Sequence, residues 1–327
     1  MTLPKVFVAR QIFQEALDKL ATVSNVEVWE HESPPSKKIL LEKVANVDGI
    51  LSLLTDSIDR ELMESAPNLR AISQIAVGYE NIDVKEATLR GIPVGYTPDV
   101  LNGTTADMTF ALMMAASRKL IDGVYAVRDG RWKTWHPLHF LGQDIYGSTL
   151  GIIGMGRIGM EMAKRARGFD MNIIYYDVNR RTQDEEETYN MSHMPLDTVL
   201  QESDFVSIHV NLTPETYHFI SDRELTLMKP TAVLVNAARG PVVDPEALYK
   251  ALTTEQIMAA ALDVTEPEPI PHNHPLVNLN NCIIVPHIAS ASTTTRLRMS
   301  TMAVENLMAG LAGIRMPNCV NPEVYTK

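Results

Sequence analysis

The chain has 327 residues, 45% of them hydrophobic and 21% charged, which suits two globular domains each able to bury its own core. Its formal net charge of −11 argues against nucleic acid or an anionic membrane as a general partner, although a local arginine can still hold an anionic substrate. The two cysteines form no disulfide framework, the amino terminus lacks a signal-peptide layout, and no apolar run reaches membrane-spanning length, so a cytoplasmic chain is expected.

From the start, short β-rich runs alternate with amphipathic ones. Strands are expected over 5–9, 26–30, 49–54, 71–76 and 93–97, with helices over 11–21, 37–45, 59–65 and 84–90 between them. Such alternation predicts parallel strands joined by crossover helices. One long helix is expected over 104–128, interrupted only by Gly123, with Met108, Met113 and Met114 filling core. The stretch from Gly130 through Trp132 and Trp135 to Pro137 reads as an extended loop. A second alternating series opens at Thr149. Its strands run over 173–177, 205–210, 232–236, 259–263 and 282–285, and the acidic Asp184–Glu187 reads as a solvated loop. The final helix, over 291–312, follows the closing strand and is placed to return to the first domain. The expected fold is α/β, with two doubly wound parallel-sheet domains. Residues 1–101 plus 289–327 form one domain, and 102–288 form a dinucleotide-binding domain inserted into it.

The second domain opens with Gly154-Met155-Gly156-Arg157-Ile158-Gly159 directly after an apolar run. A lone glycine fingerprint means little, but strand–turn–helix–strand is the context in which it works. Gly154 permits the tight turn, Gly156 lets the backbone approach a pyrophosphate, and Gly159 lets helix and strand pack closely. The free N–H groups and positive dipole of the helix start then hold phosphate. Asp177, 18 residues beyond Gly159, ends the next apolar run and is placed to accept from a ribose diol. It would repel a 2′-phosphate, so NAD(H) is expected over NADP(H). Arg180 and Arg181 close by leave some NADP(H) use open.

Later strands deliver reactive side chains. Arg239 follows the apolar run ending in Asn236 and can hold a carboxylate bidentately. Asp263 ends the next run, placed for the nicotinamide end of a cofactor, and Glu268 lies five residues on. His287 ends the run after that. Glu268 beside His287 would stabilise the protonated imidazole, a proton donor to a carbonyl oxygen at neutral pH. In the first domain, Val77-Gly78 after a strand is a candidate anion-binding turn. His272/His274 and His136/His139 lack partners at ligand spacing, so no metal site is expected.

In order and spacing, these motifs resemble the D-isomer-specific 2-hydroxyacid dehydrogenases over essentially the whole chain. The Gly130–Gly147 stretch is similar to the glyoxylate/hydroxypyruvate reductase branch. The resemblance implies a Rossmann cofactor domain inserted into a flavodoxin-like substrate domain, and reduction of a small 2-oxo acid. It implies Arg239 as carboxylate and carbonyl binder, Glu268 as the partner of the histidine, and His287 as proton donor. Thr105, Ala237, Ala238 and Asp263 join the glycine loop and Asp177 as cofactor contacts. Val77 and Gly78 would hold the substrate carboxylate, with Leu53 and Trp135 setting pocket size. A homodimer is implied, with the Trp132–Tyr146 segment crossing to the neighbour. Phosphite and D-lactate dehydrogenases and dinucleotide-sensing corepressors share the architecture. Val77 stands where the phosphite enzymes use lysine, and no added peptide-binding region marks a corepressor.

Overall fold

In the computed structural model, which describes residues 2–326, the apolar runs of the first hundred residues pair into a five-stranded parallel sheet. Its elements are β1 (Lys5–Val8), α1 (Gln14–Ala21), β2 (Asn25–Val28), α2 (Lys37–Val44), β3 (Gly49–Ser52), α3 (Arg60–Ser65), β4 (Ala71–Gln74), α4 (Val84–Leu89) and β5 (Val94–Gly95). The strand order is β2-β1-β3-β4-β5. Strands β3 and β4 are buried throughout, which is why they read as continuous apolar runs without alternation. Helix starts are set by side chains: Asp59 accepts from the Leu62 N–H at 3.0 Å and Asp83 from the Glu86 N–H at 2.9 Å. The strands end before the apolar runs do, because the last apolar residues continue into turns. The shortest, β5, is confined to Val94–Gly95, where Gly95 bridges antiparallel to Cys319.

The chain then enters a second unit, Asn102–Ala291. Its elements are α5 (Asn102–Ser117), α6 (Leu120–Arg128), β6 (Thr149–Ile153), α7 (Arg157–Arg167), β7 (Asn172–Tyr176), α8 (Gln183–Tyr189), β8 (Met191–His193), α9 (Leu196–Glu202), β9 (Phe205–Ile208), α10 (Asp222–Leu227), β10 (Val233–Asn236), α11 (Pro245–Thr253), β11 (Ala259–Leu262) and β12 (Cys282–Ile284). Seven parallel strands run in the order β12-β11-β10-β9-β6-β7-β8, with β6 and β9 adjacent where the winding reverses. Leu150, Ile152, Phe205, Val233 and Val235 pack one face against α5 and α7. Ile153, Val206, Ile208 and Leu234 pack the other against α9 and α11.

From Ser292 the chain rejoins the first unit through α12 (Thr293–Leu311). Ala303, Val304, Leu307 and Leu311 pack with Val6, Val8, Leu51 and α1. The Ser73 hydroxyl donates to the Ala303 carbonyl at 2.8 Å. Residues 289–291 stay with the second unit, whose Asp263 accepts from the Ala289 N–H at 2.9 Å.

Three local expectations are corrected, and one strand is found that none anticipated. The helix expected over 104–128 breaks at Lys119, which has φ 50°, and not at Gly123, which lies within α6. The Ser117 carbonyl is taken by the Gln143 N–H at 3.0 Å, and Gly142 lies so close that a Cβ there would sit 2.0 Å from that oxygen. The returning loop therefore ends the helix. Second, Asp184–Glu187 is no loop: Thr182 and Glu185 form a reciprocal capping box that starts α8. Third, Met113 is buried, but Met114 faces outward at 37% exposure. Last, β8 carries no apolar run, only Met-Ser-His, and adds an edge strand that periodicity does not mark.

Candidate active site

The glycine turn sits where β6 gives way to α7. Gly154 has φ +93°, and a Cβ there would come within 2.7 Å of the His209 carbonyl carbon. At Gly159 a Cβ would lie 2.4 Å from the Gly154 carbonyl oxygen, so helix and turn touch only because glycine stands at both. At Gly156 a Cβ would meet nothing within 4 Å, and Gly156 caps α7 with no side chain over its N–H groups. Crowded at the two packing glycines and open at the middle one, the turn fits the pyrophosphate of a dinucleotide. The Met155 side chain is core, so only its backbone faces the turn.

Asp177 follows β7 and is tied to this turn. Its carboxylate accepts from the Met155 N–H at 2.7 Å and from the Asn179 N–H at 2.8 Å. Arg181 donates through Nε to the Met155 carbonyl at 2.7 Å, while Arg180 makes two bonds to Glu186. Both arginines near Asp177 thus have carbonyl or carboxylate partners within the unit. Behind Gly154, the His209 ring meets the Ser207 hydroxyl at 2.7 Å, and its backbone N–H donates to Ile153 at 2.7 Å. Burial pushes His209 down to about 3, leaving it neutral. The sequence held no sign of this backing, because a histidine one residue past a strand has no spacing signature.

Arg239, Glu268 and His287 follow β10, β11 and β12, three adjacent strands of one sheet. Arg239 is projected by buried Asn236, whose side chain accepts from the Ala238 N–H at 3.0 Å and donates to the Arg239 carbonyl at 2.9 Å. His287 has φ 52°, an uncommon conformation for a residue with a side chain. It is imposed by Asp263, buried to 1%, whose carboxylate accepts from the Ile288 N–H at 2.6 Å and the Ala289 N–H at 2.9 Å. Burial raises Asp263 despite those bonds. Asp263 thus builds the turn that presents His287.

The Nδ1 of His287 lies 2.6 Å from Glu268 Oε1. Burial would push Glu268 up, but the bond to His287 and its charge outweigh it, and the carboxyl is held below its ordinary range. A second bond, from the Thr265 N–H at 3.3 Å, steadies the other oxygen. The arrangement can hold a proton on imidazole beside a guanidinium suited to a carboxylate.

In the first unit, Val77-Gly78 lies beyond the β3–β4 ladder, whose last pairing is Ser52 with Gln74. The Gln74 amide donates to the Gly78 carbonyl at 2.6 Å, and Asn81 donates to Gln74, Leu53 and Asp56 oxygens, so one amide network shapes this turn and Leu53 together. Thr105 is buried in α5, its carbonyl accepting from Thr109 at 2.7 Å. Trp135 is 78% exposed on a segment with no regular element between α6 and β6. The His136 and His139 rings there simply stack, 4.3 Å apart.

A doubly wound sheet with a glycine turn at its switch point and reactive residues on its carboxyl edge defines a dinucleotide-binding oxidoreductase. Residues 110–289 match the model of the D-isomer specific 2-hydroxyacid dehydrogenase NAD-binding domain. A glyoxylate reductase of Korarchaeum cryptofilum is 54% identical over 322 residues, 98% of this chain and 97% of that protein. The TT0316 protein of Thermus thermophilus superposes with a TM-score of 0.92 at 43% identity, covering 97% of this chain and 99% of that one. An NADPH-dependent glyoxylate/hydroxypyruvate reductase of Sinorhizobium meliloti, in complex with NADP and malonate, superposes with a TM-score of 0.85 at 30% identity, covering 98% of both chains. The chain belongs to the D-isomer specific 2-hydroxyacid dehydrogenase family, and its activity is that of an oxidoreductase on 2-hydroxy acids.

Proposed function

We propose that this protein reduces glyoxylate and hydroxypyruvate-like 2-oxo acids to the corresponding 2-hydroxy acids, with NADH as the preferred reductant. The observation that carries the reading is the 2.6 Å contact between His287 Nδ1 and Glu268, on the sheet edge that also presents Arg239. The names of the closely similar glyoxylate reductases favour glyoxylate. Arg239 takes the carboxylate and polarises the carbonyl, and the Val77–Gly78 turn is assigned a second carboxylate contact. With Nδ1 held by Glu268, Nε2 of His287 gives its proton to the carbonyl oxygen. When bound, the reduced nicotinamide supplies the hydride. The glycine loop, Thr105, Ala237, Ala238 and Asp263 are assigned to cofactor binding.

Preference for NAD(H) rests on Asp177, whose charge opposes a 2′-phosphate. The Sinorhizobium relative, with NADP bound, keeps NADP(H) as the second reading. Following nicotinamide absorbance with glyoxylate, hydroxypyruvate, pyruvate and phosphite, using each dinucleotide, tests all of this. Turnover of glyoxylate with NADH is expected; no turnover of any 2-oxo acid with either cofactor overturns the reading.

We propose further that the chain works as a cytoplasmic homodimer. Leu120, Tyr125, Val127, Trp132, Trp135, Leu138, Leu141 and Tyr146 are all more than half exposed, a large apolar face for a lone chain to leave in water. Among the described residues, no helix is long and apolar enough to cross a membrane.

A further inference from the structure

Glu268 sits on a loop with few bonds of its own, and 41% of its side chain is exposed. Yet its Oε1 must stay within 2.6 Å of His287. The anchoring lies two residues earlier. Glu266 Oε2 meets His218 Nε2 at 2.7 Å, and the Tyr217 hydroxyl donates to Glu266 Oε1 at 3.2 Å. Both oxygens of Glu266 are therefore engaged.

His218 is fixed in turn from several sides. Its backbone N–H donates to the Pro241 carbonyl at 2.8 Å, two residues past Arg239, and the neighbouring Ile220 N–H donates to Val242 at 3.0 Å. The Tyr217 ring stacks on its imidazole with centroids 4.1 Å apart. The titratable groups facing it are Glu266, Asp244 (Oδ2 at 3.8 Å from Nδ1) and Tyr217. Its φ of 48° is a left-handed conformation that persists only when surrounding contacts impose it. The third contact is backbone on backbone. A Cβ on Gly240 would lie 1.9 Å from the Thr265 carbonyl oxygen and 2.9 Å from the Glu266 nitrogen. The turn carrying Arg239 and the loop carrying Glu268 are thus pressed together and pinned across their join by His218.

We propose that His218 and Glu266 are positioning residues that hold the Glu268 loop in register with the Arg239 turn, and so set the Glu268–His287 contact. The inference rests on the catalytic reading of Arg239, Glu268 and His287 given above. A mispositioned Glu268 slows proton delivery while leaving the glycine turn untouched.

The test uses the full chain with glyoxylate and NADH, comparing Glu266→Ala, Glu266→Gln, His218→Phe, the double variant His218→Phe/Glu266→Ala, and Glu268→Gln as a reference. Glu266→Ala and His218→Phe are expected to lower kcat about tenfold, since small misplacements of a reacting group are costly. Their Kd for NADH should stay within about twofold of the parent. In both, the pH profile of kcat/KM should change as it does in Glu268→Gln, because the His287 imidazole loses its carboxylate partner. The double variant should be no worse than the poorer single one, as members of one contact are not additive. Glu266→Gln keeps an acceptor for His218 and should recover most of kcat; it also serves if Glu266→Ala does not fold. Parent-like kcat and pH profile in the Glu266 and His218 variants, with a shifted profile in Glu268→Gln, overturn the latch alone. A parent-like Glu268→Gln overturns the catalytic reading and the latch with it.

Discussion

At Asp177 one carboxylate serves two ends. It receives the Met155 and Asn179 N–H groups and so shapes the glycine turn, and in the proposed reading it also carries the charge that opposes a 2′-phosphate. Asp177→Ser keeps an acceptor for the Met155 N–H and removes that charge. The ratio of kcat/KM for NADPH over NADH should then rise about tenfold, equivalent to ~1.4 kcal/mol. An unchanged ratio would remove Asp177 from cofactor choice. At His287, substitution by Ala should lower kcat by about 10²–10⁴, the range for loss of a general acid. Fluorescence titration should show NADH still binding, and parent-like turnover would end the proton-donor assignment. The types and positions of Arg239, Glu268, His287 and Asp177 were legible in the sequence because each ends an apolar run or follows one closely. Their supports were not. Asp263, assigned above to the cofactor, also holds the His287 turn through Ile288 and Ala289, a role its place at a strand end did not reveal. Nothing local records that a carboxylate will meet N–H groups some 25 positions away.

At the scale of elements, α8 shows how a charged segment becomes structure. The capping box of Thr182 and Glu185 starts the helix, and buried Glu186 then meets Arg180 and the Tyr175 hydroxyl. The Arg180 bonds hold Glu186 down to about 2 from 4.5, against the opposing effect of burial. A depressed carboxylate contributes stability that is complete above its unfolded value of 4.5 and is lost as pH falls toward about 2. In Glu186→Gln the drop in Tm between about pH 6 and about pH 3 should therefore be smaller than in the parent. An equal drop would deny the pair any part in acid stability. The capping spacing could have been read from Thr182-Gln-Asp-Glu185, whereas the partner that buries Glu186 could not. The break between α5 and α6 has the same character. It is made by the Gln143 N–H reaching the Ser117 carbonyl, while the local breaker, Gly123, stays helical.

Over the whole molecule, the exposed apolar residues between Leu120 and Tyr146 carry the oligomer prediction. Light scattering should find a dimer for the parent chain. Leu138→Glu, at a side chain 70% exposed, should shift the population toward monomer without lowering the Tm of what remains folded. A parent that is monomeric at micromolar concentration would remove the proposal. Here the division between chain and fold is plain. Alternating apolar runs, the Gly154–Gly159 turn and the side chains at strand ends depend on neighbours within a few positions, so the sequence carries them openly. They specify a doubly wound α/β chain that binds a dinucleotide and sets Arg, Glu and His along one sheet edge. The strand order, the edge strand β8, and the contacts of Asp263, His209, His218 and Glu266 join residues far apart in the chain. Those partners are chosen by packing and by the need of buried polar groups for hydrogen bonds, which exist once the chain has folded.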